Sequence, residues 1–331
     1  MTDTSPRVAL VIPNWNGLRW LPDCLEAVAR QQPPASQVIV VDNGSHDGSV
    51  AYLLSDAIPL GLTVLELSVN TGFAHAANRG IAHVDAELVA LINTDVVIAD
   101  DWIRRMASAL ESDRRAASVA CKMLSMHYPG EVYDAGDILR RDGACEQRGR
   151  RARDDGRWDT AGEVFGACAG AALYRRDAVL SVGGFDERYF AYLEDVDLAL
   201  RLRLSGWRCR YEPVVALHAS EGSATQLPGG SERLVARNTV LLVAKWFPIR
   251  WLPIVAYRQL GWAWHALLER RLRQHMRALS SAAGLLPQAL RQRRQLRAQA
   301  MIPIAEAVPA RPFRGPRAGG HPAEIANRQP R

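Results

Sequence analysis

Residues 8–44 read VALVIPNWNGLRWLPDCLEAVARQQPPASQVIVVDNG, and this stretch decides the fold. Val8-Ala-Leu-Val-Ile12 and Val38-Ile-Val-Val41 are short, continuous apolar runs, each followed by a polar, turn-forming cluster. Runs of this kind belong to strands buried on both faces, as in a parallel sheet, and not to alternating surface strands. Between them Leu21, Cys24, Leu25 and Val28 recur at helical spacing, and Pro33-Pro34 ends the helix. The predicted unit is strand, crossover helix, parallel strand.

Outward from this unit the alternation continues, with a helix over about 49–55, a strand over 62–67, a helix over about 74–83 and a strand over 88–92. Such alternation predicts a doubly wound, mostly parallel α/β sheet whose ligands sit outside the carboxyl ends of the strands. Residues 129–159 are polar, rich in Gly, Arg and Asp, and without sustained period, so a long loop or a small β excursion is expected. Regular pattern returns at Val164, with a helix near 193–205 and strands near 209–211 and 214–217. From about 231 the composition shifts to Trp, Leu, Ala and Arg in helical pieces interrupted by Pro248, Pro253 and Pro287; beyond about 301 Pro, Gly, Ala and Arg dominate. The organisation expected is an α/β domain over 1–230, an amphipathic, Arg/Trp-rich helical extension over 231–300 and a disordered tail over 301–331.

The 331 residues are 48% apolar, ample for one large domain with an appendage. Five scattered cysteines without a C-x-x-C pair point to a reducing compartment and against structural zinc, and the first residues lack the basic and apolar regions of a signal peptide, so a cytoplasmic location is expected. The net charge of +6 hides an asymmetry: residues 1–230 hold 23 basic and 31 acidic side chains, and residues 231–331 hold 18 and 4. All basic residues except Lys122 and Lys245 are arginine, a bias that codon usage explains as readily as phosphate binding does.

Asp42, Asn43, Gly44, Ser45 and Asp47 follow the second strand, and Asn93, Thr94 and Asp95 follow the fourth, so both clusters open onto one crevice. A carboxylate there can accept hydrogen bonds from a base or ribose, or hold a hard divalent cation against a diphosphate. Each cluster taken alone is equally ordinary turn or capping chemistry.

The order of motifs along the chain resembles that of the inverting family 2 glycosyltransferases of the GT-A fold. Val-Ile-Pro-Asn-Trp-Asn (11–16), Val-Asp-Asn-Gly-Ser-His-Asp-Gly-Ser (41–49) and Asn-Thr-Gly-Phe-Ala-His-Ala-Ala-Asn-Arg-Gly-Ile (70–81) resemble that family's nucleotide-binding half, and Leu-Ile-Asn-Thr-Asp-Val (91–96) stands at its D-x-D motif. Gly-Gly-Phe-Asp-Glu-Arg-Tyr-Phe-Ala-Tyr-Leu-Glu-Asp-Val-Asp-Leu (183–198), Arg201, Gly206-Trp207 and His218 resemble its acceptor half. The similarity covers about 7–220 and is greatest to rhamnosyltransferase-like members, which implies a hexosyltransferase taking rhamnose from a deoxythymidine-diphosphate donor to a glycan or lipid-linked acceptor in cell-envelope polysaccharide synthesis.

The resemblance also implies roles. Asp195, beside Glu194, matches the base that takes the acceptor hydroxyl proton, and Glu194, Asp195 and Asp197 crowd a predicted helix start, where repulsion should raise at least one pKa. Asp42 matches the pyrimidine or ribose ligand, with Asn14, Asn70 and Asn78 closing the nucleotide crevice and Gly72 admitting the nucleotide to the backbone. Asn70, Asn78 and Gly72 read equally as a turn residue, a helix polar face and a turn glycine. Asp95 and His218 would hold Mg²⁺ or Mn²⁺; the D-x-D motif departs from the family at Asn93, which removes one charge from the metal site. Cys168 is not expected to be a nucleophile, because an inverting displacement forms no covalent enzyme intermediate.

In the extension Trp246, Phe247, Trp251, Trp262 and Trp264 lie among arginines, and the longest uncharged piece between Arg237 and Glu269, 259–268, is too short to span a bilayer. A helix lying on an anionic membrane surface through 231–300 is expected, at the inner face of the cytoplasmic membrane; packing of these aromatics on the catalytic domain is the other reading. Two competing functions are a nucleic-acid-binding protein using the basic region and a sugar nucleotidyltransferase. The first leaves the acidic front two-thirds unexplained, so no nucleic acid is expected as a partner. The second usually brings a lysine-containing Gly-rich loop, whereas Asn14-Trp15-Asn16-Gly17 stands there. The sequence does not fix an oligomeric state.

Overall fold

The computed structural model describes residues 6–55, 60–219 and 230–310. β1 (Val8–Asn14) and β2 (Gln37–Asn43) pair in parallel with Asn14 opposite Asp42, and α1 (Leu21–Ala29) crosses between them. α1 begins with Pro22 in its first turn, where a missing N–H costs nothing. Next come α2 (Ser49–Leu53), β3 (Leu62–Leu67), α3 (Phe73–His83) and β4 (Leu88–Ile92), and they extend the parallel sheet to the order β4-β1-β2-β3. β1 carries the physical reason for this architecture: Leu10 and Ile12 pack on one face with α1, and Ala9 and Val11 pack on the other with α3. Each fully buried Leu, Ile or Val contributes roughly 1.5–3 kcal/mol, so an apolar residue at every position is stable only with helices on both sides.

The second half comprises β5 (Val96–Ile98), α4 (Trp102–Glu111), β6 (Ala116–Ser125), β7 (Val132–Asp134), β8 (Asp137–Leu139), β9 (Cys145–Gln147), β10 (Gly162–Val164), β11 (Ala171–Arg175), α5 (Arg176–Ser181), α6 (Glu194–Leu204) and β12 (Arg208–His218). The sheet runs β10-β12-β6-β11-β4-β1-β2-β3, with β5 on β12 and β7 on β6. β11 is antiparallel to both β4 and β6, whereas β6 and β12 pair in parallel. The polar stretch 129–159 holds the small β excursion anticipated for it, in β7 and the two-stranded β8-β9 sheet. One long strand, β12, replaces the two short ones expected; it passes an irregularity between Glu212 and Val215 and delivers His218 opposite Val96 of β5. That pairing seats Asp95 beside His218.

The extension consists of α7 (Gly230–Trp246), α8 (Leu252–Leu268), α9 (Leu272–Ser281), α10 (Leu286–Ala298) and α11 (Ile304–Ala307). Pro253 and Pro287 open α8 and α10 in their first turns. A third core joins Val196, Leu200 and Leu204 of α6 to Leu241, Leu242 and Trp246 of α7. This core corrects the membrane set: Trp246, Phe247 and Trp251 are buried in it, because α6 offers them an apolar partner face. Trp264 is 63% exposed, and so are other apolar residues on α8, with Tyr257 at 79%. Among the described residues no helix is long and apolar enough to cross a membrane. Residues 301–310 are held in place, Met301 N–H donating to Leu204 O at 2.7 Å and Arg141 Nε to Val308 O at 2.8 Å, so order extends past the expected start of the tail. Residues 311–331 lie outside the described residues.

Candidate active site

A cleft of about 360 Å³ opens at the carboxyl ends of β1, β2 and β4. Its wall brings together Asn14, Asn70, Gly72, Asn93, Asp95, Glu194, Asp195 and His218 from the sequence-predicted set. Asp42 sits one layer beneath. It accepts from Asn14 Nδ2 at 2.7 Å and from Ser45 N–H at 2.9 Å, and Asn14 Oδ1 is buried without a partner among the described residues.

Asn78 is not part of the cleft wall. Its Nδ2 donates to Phe185 O and Glu187 Oε1, and its Oδ1 accepts from Phe185 N–H at 2.8 Å, so the side chain ties α3 to the segment before α6. Asn70 Oδ1 accepts from Asn43 Nδ2 at 3.1 Å and Gly72 N–H at 2.9 Å and thereby builds its own loop. Gly72 has φ +91°, and a Cβ there would stand 2.6 Å from Phe190 O. The backbone approach it permits is therefore to Phe190, whose carbonyl accepts from Ala74 N–H.

Asp95 Oδ2 and His218 Nε2 lie 3.7 Å apart. Burial holds the imidazole below its usual pKa despite nearby Asp95, which favours the neutral ring with a lone pair to give, and Tyr133 stacks on it at 3.9 Å. Carboxylate and imidazole this close suit one small divalent cation. Among the described residues no group of three or more His, Cys, Asp or Glu is arranged for a metal, so a cation here would draw its remaining ligands from a bound diphosphate and water.

Across the cleft α6 starts at Glu194 after Leu193, whose φ of +66° follows Phe190 at +66° and Tyr192 at +68°. Three non-glycine residues in the left-handed region store strain, each costing on the order of 1–3 kcal/mol, and they aim the first turn of α6 into the cleft. Asp195 Oδ2 accepts from Ala169 N–H at 3.2 Å and Oδ1 from Val196 N–H at 2.8 Å. Burial raises its pKa while these N–H groups pull it down, and burial together with Asp195 pushes Glu194 well up. Among the described residues Asp195 thus has no ion-pair partner, the condition of a carboxylate that can take a proton.

Sequence reasoning missed the contribution of 129–159. Tyr133, Asp137, Cys145, Glu146 and Gln147 line the cleft, and Asp134 lies close behind. Burial, then Asp195, raises Asp137 well above the carboxylate range; Asp134 is pushed up to about 7 by burial and Asp195, against the pull of Gly136 N–H. The available signal was two acids flanking Ala135-Gly136 just before the apolar Ile138-Leu139. Cys168 also lines the cleft, but burial and then Asp134 raise its thiol well above the usual value, which makes it inert.

Residues 9–183 match the family model described as Glycosyl transferase family 2. An N-acetylglucosaminyl-diphospho-decaprenol L-rhamnosyltransferase of Mycobacterium tuberculosis is 30% identical over 285 residues, which span 76% of this chain and 89% of that one. A mannosyltransferase from Pyrobaculum calidifontis, solved with GDP-Man and Mn²⁺, superposes with a TM-score of 0.53 at 21% identity, over 90% of this chain and 84% of that one. The S. aureus protein TarS (1–349), solved with UDP-GlcNAc, gives 0.56 at 16% identity, over 89% and 84%. These likenesses carry the fold, the GT-A type anticipated from the motifs.

Proposed function

The chain belongs to glycosyl transferase family 2 and is a glycosyltransferase, and on that premise we propose that it moves rhamnose from dTDP-rhamnose, with inversion, to a sugar carried on a lipid diphosphate in cell-envelope polysaccharide synthesis. The observation that carries the reading is Asp195, a carboxylate with no ion-pair partner among the described residues, in one cleft with the Asp95–His218 pair. Asp195 accepts the acceptor hydroxyl proton as the oxygen bonds to the anomeric carbon, and the bond to the diphosphate breaks with its electron pair leaving on dTDP. Asp95 and His218 would hold Mg²⁺ or Mn²⁺, which when bound neutralises charge gathering on that diphosphate. Asn14 orients Asp42 beneath the nucleotide, and Asn70, Gly72 and Asn93 wall the donor side. The exposed apolar residues of α8, beside the basic charge of 231–300, suit peripheral attachment to an anionic membrane surface at its cytoplasmic side.

Thermal shift against a panel of sugar nucleotides with Mg²⁺ or Mn²⁺ tests the donor, since a ligand of the native state raises apparent stability. dTDP-rhamnose should stabilise most, and Asp95→Ala should remove the response to Mn²⁺. Stabilisation by another sugar nucleotide with none from dTDP-rhamnose rejects the rhamnosyl assignment, and full transfer after exhaustive chelation rejects the cation.

A further inference from the structure

A second cavity, of about 780 Å³, lies among α7, α8 and α9, and Val235 of α7 lines both it and the active-site cleft. Its wall includes Arg233, Trp262, His275 and Arg277. The two carboxylates there are already engaged, Glu232 with Arg271 at 3.2 Å and Glu269 with His265 at 3.1 Å. Arg233 and Arg277 have no carboxylate partner among the described residues, and His275 Nε2 is buried without a hydrogen-bond partner. Two unpaired guanidiniums and an imidazole nitrogen around one space lack acidic oxygens, and a diphosphate supplies several.

We propose that this cavity binds the diphosphate of a lipid-linked acceptor, Arg233, Arg277 and His275 taking its oxygens, so that the attached sugar passes Val235 to reach Asp195. The inference rests on the reading of the acceptor as a sugar on a lipid diphosphate. It also separates two anions that would otherwise compete: the donor diphosphate sits at Asp95 and His218, the acceptor diphosphate on the far side of Val235. Trp262 on the cavity wall and the exposed Leu260 and Trp264 on the same helix offer the lipid an apolar path.

Calorimetric titration of the dTDP-saturated protein with geranyl diphosphate tests this. Binding should occur without displacing dTDP. Arg233→Ala with Arg277→Ala should weaken it by roughly tenfold or more per arginine, with Arg277→Lys intermediate and dTDP affinity unchanged. Both arginines are exposed and outside the cores, so these variants fold. The proposal is overturned if geranyl diphosphate fails to bind, if it displaces dTDP, if the double variant binds it as well as the wild type does, or if inorganic pyrophosphate binds as tightly, which would mark a site for free diphosphate. Intact geranyl diphosphate binding in a protein that transfers nothing from dTDP-rhamnose would reject the donor assignment and uphold this one.

Discussion

Two groups of carboxylates meet at the start of α6 and are treated in opposite ways. Glu194, Asp195 and Asp137 line the cleft with no ion-pair partner among the described residues, Asp134 lies behind them within the field of Arg150 and Arg148, and burial drives the pKa values of all four up. Asp197, two residues on and 0% exposed, accepts from Lys245 Nζ at 2.6 Å, Trp246 Nε1 at 2.8 Å and Arg201 Nε at 2.8 Å. Lys245 also binds Asp186 at 2.6 Å. Burial alone would raise Asp197 and Asp186, but Lys245 with Arg201 or Arg188 holds both below the usual range. One turn of helix thus raises proton affinity on one side and lowers it on the other. The difference teaches that an acidic first turn is not one feature: partners decide which acid is available for chemistry and which anchors α7.

The largest break in this contrast is Asp195→Asn, which should cut transfer by roughly 10²–10⁴-fold while leaving sugar-nucleotide affinity and melting temperature near wild type. Unchanged turnover in the folded variant would remove Asp195 from the base role. On the anchoring side, Lys245→Met leaves buried Asp197 and half-buried Asp186 with one arginine each in place of their shared cation and should cost about 3 kcal/mol in denaturant unfolding. A midpoint unmoved by that substitution would mean the cluster adds nothing to stability.

Proton linkage sharpens the comparison further, because the two groups have opposite signs. The anchor carboxyls, lowered in the folded state, contribute stability that is complete above the ordinary carboxylate pKa and is lost only as pH falls through their folded values. Asp134, raised to about 7, contributes below the ordinary carboxylate pKa and loses that contribution as pH rises through about 7. Between about pH 5 and 8 the anchor is therefore constant, while the contribution of Asp134 declines with rising pH and that of His218, lowered by burial, grows; Asp134→Asn should remove the declining part, so that stability falls less or rises more with pH, as denaturation midpoints across that range would record. The smallest effect is Tyr189→Phe, which removes the hydroxyl donating to Asp197 at 3.2 Å and should cost about 1 kcal/mol with transfer unaffected.

Much of this was legible in the chain because buried parallel strands announce themselves as apolar runs, and the residue after such a run must stand at the ligand-bearing edge. That rule places Asp42, Asn93 and Asp95 together with no knowledge of side-chain contacts, and the family resemblance adds Asn14 and His218. It fails for Asn78, since a polar residue on a helix reads the same whether it faces a ligand or clamps Phe185. It fails also for Asp134 and Asp137, whose strands are three residues long and too short to show a period. Trp246 and Trp251 were ambiguous because periodicity reveals that a helix has an apolar face, not whether lipid or α6 covers it.

The loop that sets up Asp195 is closed from a distance. Asn238 of α7 donates to the carbonyls of Tyr189, Ala191 and Tyr192, at 3.0, 2.8 and 2.6 Å, and Arg237 donates to Arg188 O at 2.9 Å. The clamp lies 46–49 positions later in the chain than the carbonyls it holds. During synthesis the left-handed turn is therefore made on the order of seconds before the residues that restrain it exist. A nascent chain can pair its parallel strands early, yet the turn before α6 is restrained only after α7 has emerged.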